Sequence, residues 1–438
     1  MSKRSRVVVA ISLILLPALI LRGSPGISSP GPPITLTITG KTAGIYDPRR
    51  HRVYVQAQEN GVIQTPRLQI RVTGLPGHQK IFILCRFIPG PYREVTMPGR
   101  SLFQISGGKG RILNMNTCQL TADSSGEARV DFVCTRYAGD RFVLMVQYAA
   151  ESFAVGQNYA NFSRRLEKNA RAIAVFDLWK RMVIEDLHIL KGVRFPGDGV
   201  MNLVRENLAR LHIDCEISLA RGRIDPALPS LSPFFSAAGL GPDSSGSRRY
   251  GPRLGADMDF LLESLHRMYS DRKAHTLKII IFGFISPELD LLKEGAFFGY
   301  DRVISRRQLE TRELNFNFQA LYLDQEQGRA PVIFCWSDFF YLLSRWWRVP
   351  HDQLLARVLL HEIGHFLMRH SRFREKELHC FDPHGHLLES VTGNRTFMMQ
   401  GISPLRGREK VFLRDMQWHP VTQRIIRRSF ILSDGDGR

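Results

Sequence analysis

The pentapeptide His361-Glu362-Ile363-Gly364-His365 has residue types and a spacing that specify a chemistry. Histidines four apart on an α-helix leave the same face about one turn apart, so both imidazoles can reach one zinc ion at roughly 2.0–2.1 Å. That is half of a tetrahedral site. Glu362 lies about 100° round the helix from His361, placed to take a proton from a water on the metal without becoming a ligand. These are the parts of metal-assisted peptide hydrolysis.

The chemistry requires a helix, and the flanking residues supply one. Leu354, Leu355, Val358, Leu359, Ile363, Phe366 and Leu367 recur at helical spacing. Pro350 stops the preceding segment, and Asp352 serves as N-cap or first-turn acid. Gly364 inside the motif costs up to about 1 kcal/mol relative to Ala, which is acceptable where another backbone must pass closely.

The segment Val358 to Leu367 resembles the active-site helix of the zincin metallopeptidases. The resemblance implies His361 and His365 as zinc ligands and Glu362 as general base. It also implies a sheet beside the helix and a cleft between an upper and a lower subdomain. The metzincin branch continues with Gly three residues after the second His and a third His three residues on; here those positions hold Met368 and Ser371. His370 is one residue short and would point away from His361 if the helix ran on. A catalytic zinc takes three protein ligands, so another residue must close the site. The candidates are His386 first, then His384 and His370, with Asp382, His379, Glu375, Glu377 and Glu389 behind them. Asp382-Pro383-His384-Gly385-His386 has the turn chemistry of a loop folding back beneath the helix. The stretch Gly393 to Gly401, with Met398 and Met399, is similar to the methionine-containing turn that floors the metzincin zinc site. A thioether fills irregular space there without competing for zinc. Leu413 to Arg428 reads as a closing helix that Trp418-His419-Pro420 interrupts or starts. A lone histidine such as His419 is more often a surface residue than an oxyanion donor.

The chain has 438 residues, more than one core usually organises, and 44% are hydrophobic, so two globular domains are expected. Lys3, Arg4 and Arg6 precede an apolar run from Val7 to Leu21, the form of a secretory signal peptide within residues 1–26, with an uncleaved N-terminal anchor as the alternative. Both place the protein outside the cytoplasm, secreted, periplasmic or envelope-associated. Six cysteines are compatible with disulfides there, and none lies in a Cys-x-x-Cys pair. The net charge of +19 favours an anionic cell-envelope surface as partner. It is spread along the chain without a nucleic-acid-binding motif, so specific nucleic acid is excluded.

Residues 34–152 read as short strands separated by turns, an N-terminal all-β immunoglobulin-like sandwich. Leu120 to Val130 resembles the penultimate hairpin of bacterial immunoglobulin-like surface modules. From about 160 the texture becomes helical, with Asn169 to Leu190 long and amphipathic. Residues 160–438 form a C-terminal α+β zincin-like metallopeptidase domain, interrupted by a Pro-, Gly- and Ser-rich loop at 221–256. Strands are expected at Leu277 to Ile285 and Pro331 to Trp336, the second serving as the edge that aligns substrate. The chain as a whole reads as a multidomain, exported zinc metalloendopeptidase acting on protein or peptide. One rival is an envelope-binding or adhesive protein whose zincin-like domain has lost catalysis; another is a zinc amide hydrolase of cell-wall polymer.

Overall fold

Alternation of apolar and polar residues builds the first part of the chain, seen here in a computed structural model. The described residues are 33–42, 44–55, 64–90, 101–105, 110–149, 168–189, 197–218, 277–282, 320–323, 332–337, 348–369, 375–382, 385–388, 396–398 and 416–428, with short pieces between them. The early strands are β1 (Thr35–Gly40), β2 (Tyr46–Asp47), β3 (Arg52–Tyr54), β4 (Arg67–Thr73) and β5 (Lys80–Ile88). They continue with β6 (Phe103–Gln104), β7 (Gly110–Asn114), β8 (Thr117–Thr121), β9 (Ala128–Val133), β10 (Arg141–Tyr148) and β11 (Ala172–Ile189). One antiparallel sheet has the order β1-β4-β9-β6. The facing sheet runs β7-β8-β5-β10-β11, with β3 parallel to β11 and β2 beyond it.

Every second residue faces inward and is buried: Leu68, Ile70 and Val72 on β4, Ile81, Ile83 and Cys85 on β5, and Phe142, Leu144 and Val146 on β10. Phe132 lies at the centre, with the rings of Phe103, Phe142 and Phe176 at 5.3, 5.4 and 5.9 Å, each edge-on. Burial of each such side chain contributes roughly 1.5–3 kcal/mol. The all-β sandwich expected for this part of the chain is therefore the observed architecture. Its Leu120 to Val130 stretch is not a hairpin, however. Strands β8 and β9 belong to opposite sheets, and residues 122–127 carry the chain from one layer to the other.

The helix expected over Asn169 to Leu190 is instead the 18-residue strand β11. Phe176, Leu178, Lys180, Met182 and Ile184 are buried while the residues between them are more exposed, a period of two. Val, Ile, Phe and Trp in this run favour the pleated conformation, and the neighbouring strands on both sides supply the ladder. Residues 172–177 of β11 pair with β10, so the sandwich extends past residue 152.

Strand β11 then continues into a second sheet. Helix α1 (Asp198–Ala209) crosses from it to the parallel β12 (Ile213–Ser218). A small hairpin of β13 (Phe235–Ala237) and β14 (Tyr250–Pro252) lies within the Pro-rich loop. Strand β15 (Leu277–Phe282) pairs parallel to β11 on its other side. After the short pair β16 (Phe297–Phe298) and β17 (Val303–Ile304) come β18 (Ala320–Leu323) and β19 (Val332–Trp336). The order is β12-β11-β15-β19-β18, with only β18 antiparallel to its neighbour. The segment expected to be the edge, Pro331 to Trp336, is thus internal, because β18 covers it. Helix α2 (His351–Arg369) packs on α1 and beside β18 and β19. The chain closes with α3 (Glu375–Leu378), a two-residue pair of β20 (Leu405–Arg406) and β21 (Glu409–Lys410), and α4 (Pro420–Arg427).

The leader at 1–26 lies outside the described residues. Among the described residues no helix is long and apolar enough to cross a membrane. No disulfide joins any of the six cysteines. Five are buried, and burial pushes the thiols of Cys118 and Cys215 up to about 12 and that of Cys85 still further.

The crossover between the sandwich layers depends on Gly126, whose φ is +75°. A Cβ there would stand 2.0 Å from the carbonyl oxygen of Leu75, which itself donates its N–H to the Gly126 carbonyl. Gly126→Ala is expected to lower stability by at least about 1–2 kcal/mol, the cost of a left-handed L-residue before the clash is counted, as read by denaturant unfolding.

Candidate metal centre

Helix α2 begins at His351 with Asp352 in its first turn and runs unbroken through Arg369. Its inward face, Leu354, Leu355, Val358, Leu359, Ile363, Phe366 and Leu367, is buried. The helix runs on through Met368 to Arg369; His370 and His384 lie outside the described residues. The histidine that joins His361 and His365 is His386. One ligand nitrogen from each of the three lies within 4.8 Å of the others, and the ring centroids are 4.7, 5.2 and 5.0 Å apart.

Two of the rings are held by their far nitrogens. His361 donates Nδ1–H to the carbonyl oxygen of Phe397 at 2.6 Å, which leaves Nε2 as the ligand atom. His386 has Nδ1 3.1 Å from Asp382 Oδ2, and the same carboxylate accepts the His386 backbone N–H at 2.8 Å. Such carbonyl and carboxylate partners fix tautomer and ring orientation in metal sites. His361 Nε2 and His365 Nε2 face each other at 3.1 Å. Tetrahedral zinc with bonds of about 2.0–2.1 Å needs ligand nitrogens roughly 3.3–3.4 Å apart, so the donor set fits the ion in type and number, and the His361–His365 pair is close to that spacing. Burial, and after it the neighbouring His365, pushes the His361 imidazole well below its usual range and keeps it neutral, the form that binds a metal.

The loop that delivers His386 is short and tightly tied. The Asp382 N–H donates to the His386 carbonyl at 2.8 Å, and Gly385 turns the chain at φ +82°. A Cβ on Gly385 would lie 3.4 Å from His365 Nδ1, so the loop passes directly against that ring. Phe381 bridges Leu387, and the Leu387 N–H donates to the Met398 carbonyl at 2.7 Å. Residues 396–398 therefore act on both sides: Phe397 orients His361, and Met398 anchors the His386 loop.

Gly364 has a reason different from the one its position suggests. A Cβ there would stand 2.1 Å from the Met398 sulfur and 3.1 Å from Trp418 Cζ3, so the close neighbour is a side chain, not a backbone. Met398 packs under the helix at the motif, and Met399 lies outside the described residues. Trp418 stacks obliquely on Phe397 at 4.8 Å. His419 is the N-cap of α4, its Nδ1 accepting the Val421 N–H at 3.3 Å, which answers the question of its role. Residue Glu362 is buried in α2, near enough to Cys335 of β19 that its charge, after burial, raises that thiol. Arg357, one turn before His361, is buried, and burial lowers it to about 10. Among the other candidates, His379 is exposed, Glu377 is an ion-pair partner of Arg428, and Glu389 is outside the described residues. Sequence reasoning missed Asp382 as the orienting carboxylate and Phe397 as the orienting carbonyl. The i to i+4 spacing of Asp382 and His386 was the available signal for the first; the second is a backbone atom and leaves no mark on residue type.

No family model matches the chain, and no curated protein matches it. Similar solved structures include WR4, a C. elegans MSP family member, at TM-score 0.18 and 7% identity over 34% of this chain and 98% of that one. The reeler domain of human F-spondin aligns at 0.18 and 7% over 33% of this chain and 91% of that one. A PapD-like domain of human CEP192 aligns at 0.19 and 10% over 36% and 89%. Scores this low carry no inference, and the sandwich stands on its own strand pairing.

Two substitutions test this arrangement. Asp382→Asn keeps an acceptor for the His386 N–H but removes the carboxylate; zinc affinity, measured by chelator competition, is expected to fall about 10–100-fold. Gly364→Ala forces Met398 aside and is expected to cost about 1–3 kcal/mol of stability, with weakened metal uptake in the same preparation.

Proposed function

We propose that the protein is an exported zinc metalloendopeptidase. The observation that carries this reading is the convergence of His361, His365 and His386, two of them oriented by Phe397 and Asp382, on the helix that also bears Glu362. Zinc in such a site supplies a Lewis acid for the scissile carbonyl and brings the pKa of a bound water toward about 7. The three histidines would hold that ion through their ring nitrogens. Glu362, next to His361, accepts the proton of the attacking water and returns it to the leaving amine.

An extended substrate is best aligned by main-chain pairing with β18, which among the described residues pairs only with β19 and which lies beside α2. The charge of +19 and the basic, apolar leader support an extracytoplasmic site of action at an anionic envelope surface.

Glu362→Gln is the decisive variant. Turnover of an unfolded protein substrate is expected to drop by about 10²–10⁴ while zinc content stays at one per chain. Purified wall polymer is offered in parallel: release of amines from it alone would move the reaction to non-peptide amides, and a wild-type chain that holds zinc yet cleaves neither would leave binding as the activity.

A further inference from the structure

Helix α4 joins three parts of the molecule that lie far apart in sequence. Trp418, the residue before its N-cap, packs on Phe397 and fills the space beside Gly364. At the other end, two consecutive arginines reach in different directions. Arg427, 6% exposed, donates Nε–H to the Ala138 carbonyl at 2.6 Å and pairs with Asp140, which is 0% exposed, in the turn before β10. Arg428 pairs with Glu377 of α3, and the Glu377 carbonyl accepts the N–H of Cys380 at 3.0 Å, two residues before Asp382. Lys180 of β11 donates Nζ–H to the Ile426 carbonyl at 2.9 Å and so occupies one of the terminal acceptors of the helix.

The Asp140 carboxylate is well supplied with donors. It also accepts the Gly90 N–H at 3.0 Å and the Thr135 hydroxyl. A pair this buried adds little net stability over apolar packing, whereas loss of one partner strands the other charge. Its effect is to fix where α4 sits against the sandwich. From there, one route runs through Trp418 to Phe397, whose carbonyl sets the His361 ring; a second runs through Arg428 and Glu377 to the loop of His386.

We propose that the β-sandwich is a working part of the metal centre, with Asp140 and Arg427 as positioning residues that act on His361 and His386 through α4. The inference rests on the reading of the three histidines as a zinc site. A sandwich that only tethers would leave metal binding indifferent to Asp140.

The test is a cobalt(II) titration of the full chain, followed by ligand-field absorption, for wild type, Asp140→Asn, Arg427→Met and Arg427→Lys. Asp140→Asn and Arg427→Met are expected to weaken cobalt affinity about 10–100-fold and to change the band envelope, as loss of outer-shell support does. Arg427→Lys keeps the cation but cannot reach Ala138 and Asp140 together, so an intermediate, several-fold loss is expected. Folded variants with wild-type affinity and spectrum overturn the coupling alone. Where the first two fail to fold, Arg427→Lys decides by the same criterion. A wild-type chain that takes up no cobalt removes the metal reading itself, and the coupling with it.

Discussion

The continuity of one strand constrains the molecule more than any other feature. Residues 172–177 of β11 complete a sheet of the sandwich and residues 180–189 lie between β12 and β15 in the second sheet, with no break in the backbone between them. A flexible linker would leave two modules free to rotate. A hydrogen-bonded ladder on both sides of the same strand does not, because any rotation would break pairs in one sheet or the other. Side chains reinforce the junction: Arg50, Arg52 and Tyr54 near β3 converge on Asp214 of β12, and the Arg52 guanidinium lies 3.6 Å over the Trp179 ring.

Given that frame, the candidate metal centre follows from two local solutions. Helix α2 is fixed by its apolar face against the sheet and α1, which determines the direction of His361 and His365. The third imidazole cannot come from the same helix, so a tied loop brings it back, held by Asp382, Gly385 and the Met398 carbonyl. Two of the three rings, His361 and His386, then have their orientation set by something other than the metal, which is what preorganisation requires: the ion need not spend binding energy on ordering those ligands.

Local rules read part of this from the residues alone. Alternation in β4 and β9, with Leu68, Ile70 and Val72 on one and Val130 and Phe132 on the other, made the sandwich legible, and the four-residue histidine spacing, with its apolar flanks, did the same for α2. The turn residues of 382–386 pointed to a returning loop. Strand β11 was misread because its charged residues, Lys180, Arg181 and Glu185, sit among apolar ones in a way that satisfies a helical face as well; pairing with β10, β12 and β15, which no local window contains, decides between them. The same limit applies to β8 and β9. Their turn chemistry is that of a hairpin, yet the inner faces of both layers need filling, and Phe132 and Leu120 serve opposite sheets. Edge position is likewise a property of the whole sheet, and so Val332–Trp336 gave no local sign that β18 lies outside it.

Burial decides the chemistry of five of the six thiols. Cys85, Cys118 and Cys134 are packed in the sandwich core, and Cys215 and Cys335 in the second sheet, all with ionisation suppressed by burial. Thiolate is the species that oxidants and exchange partners attack, so these five sulfurs behave as small hydrocarbons. Cys380 alone among the six is more than marginally exposed to a reagent. The described fold accordingly contains no covalent cross-link, and a thiolate-directed reagent meets these five sulfurs chiefly when the chain unfolds.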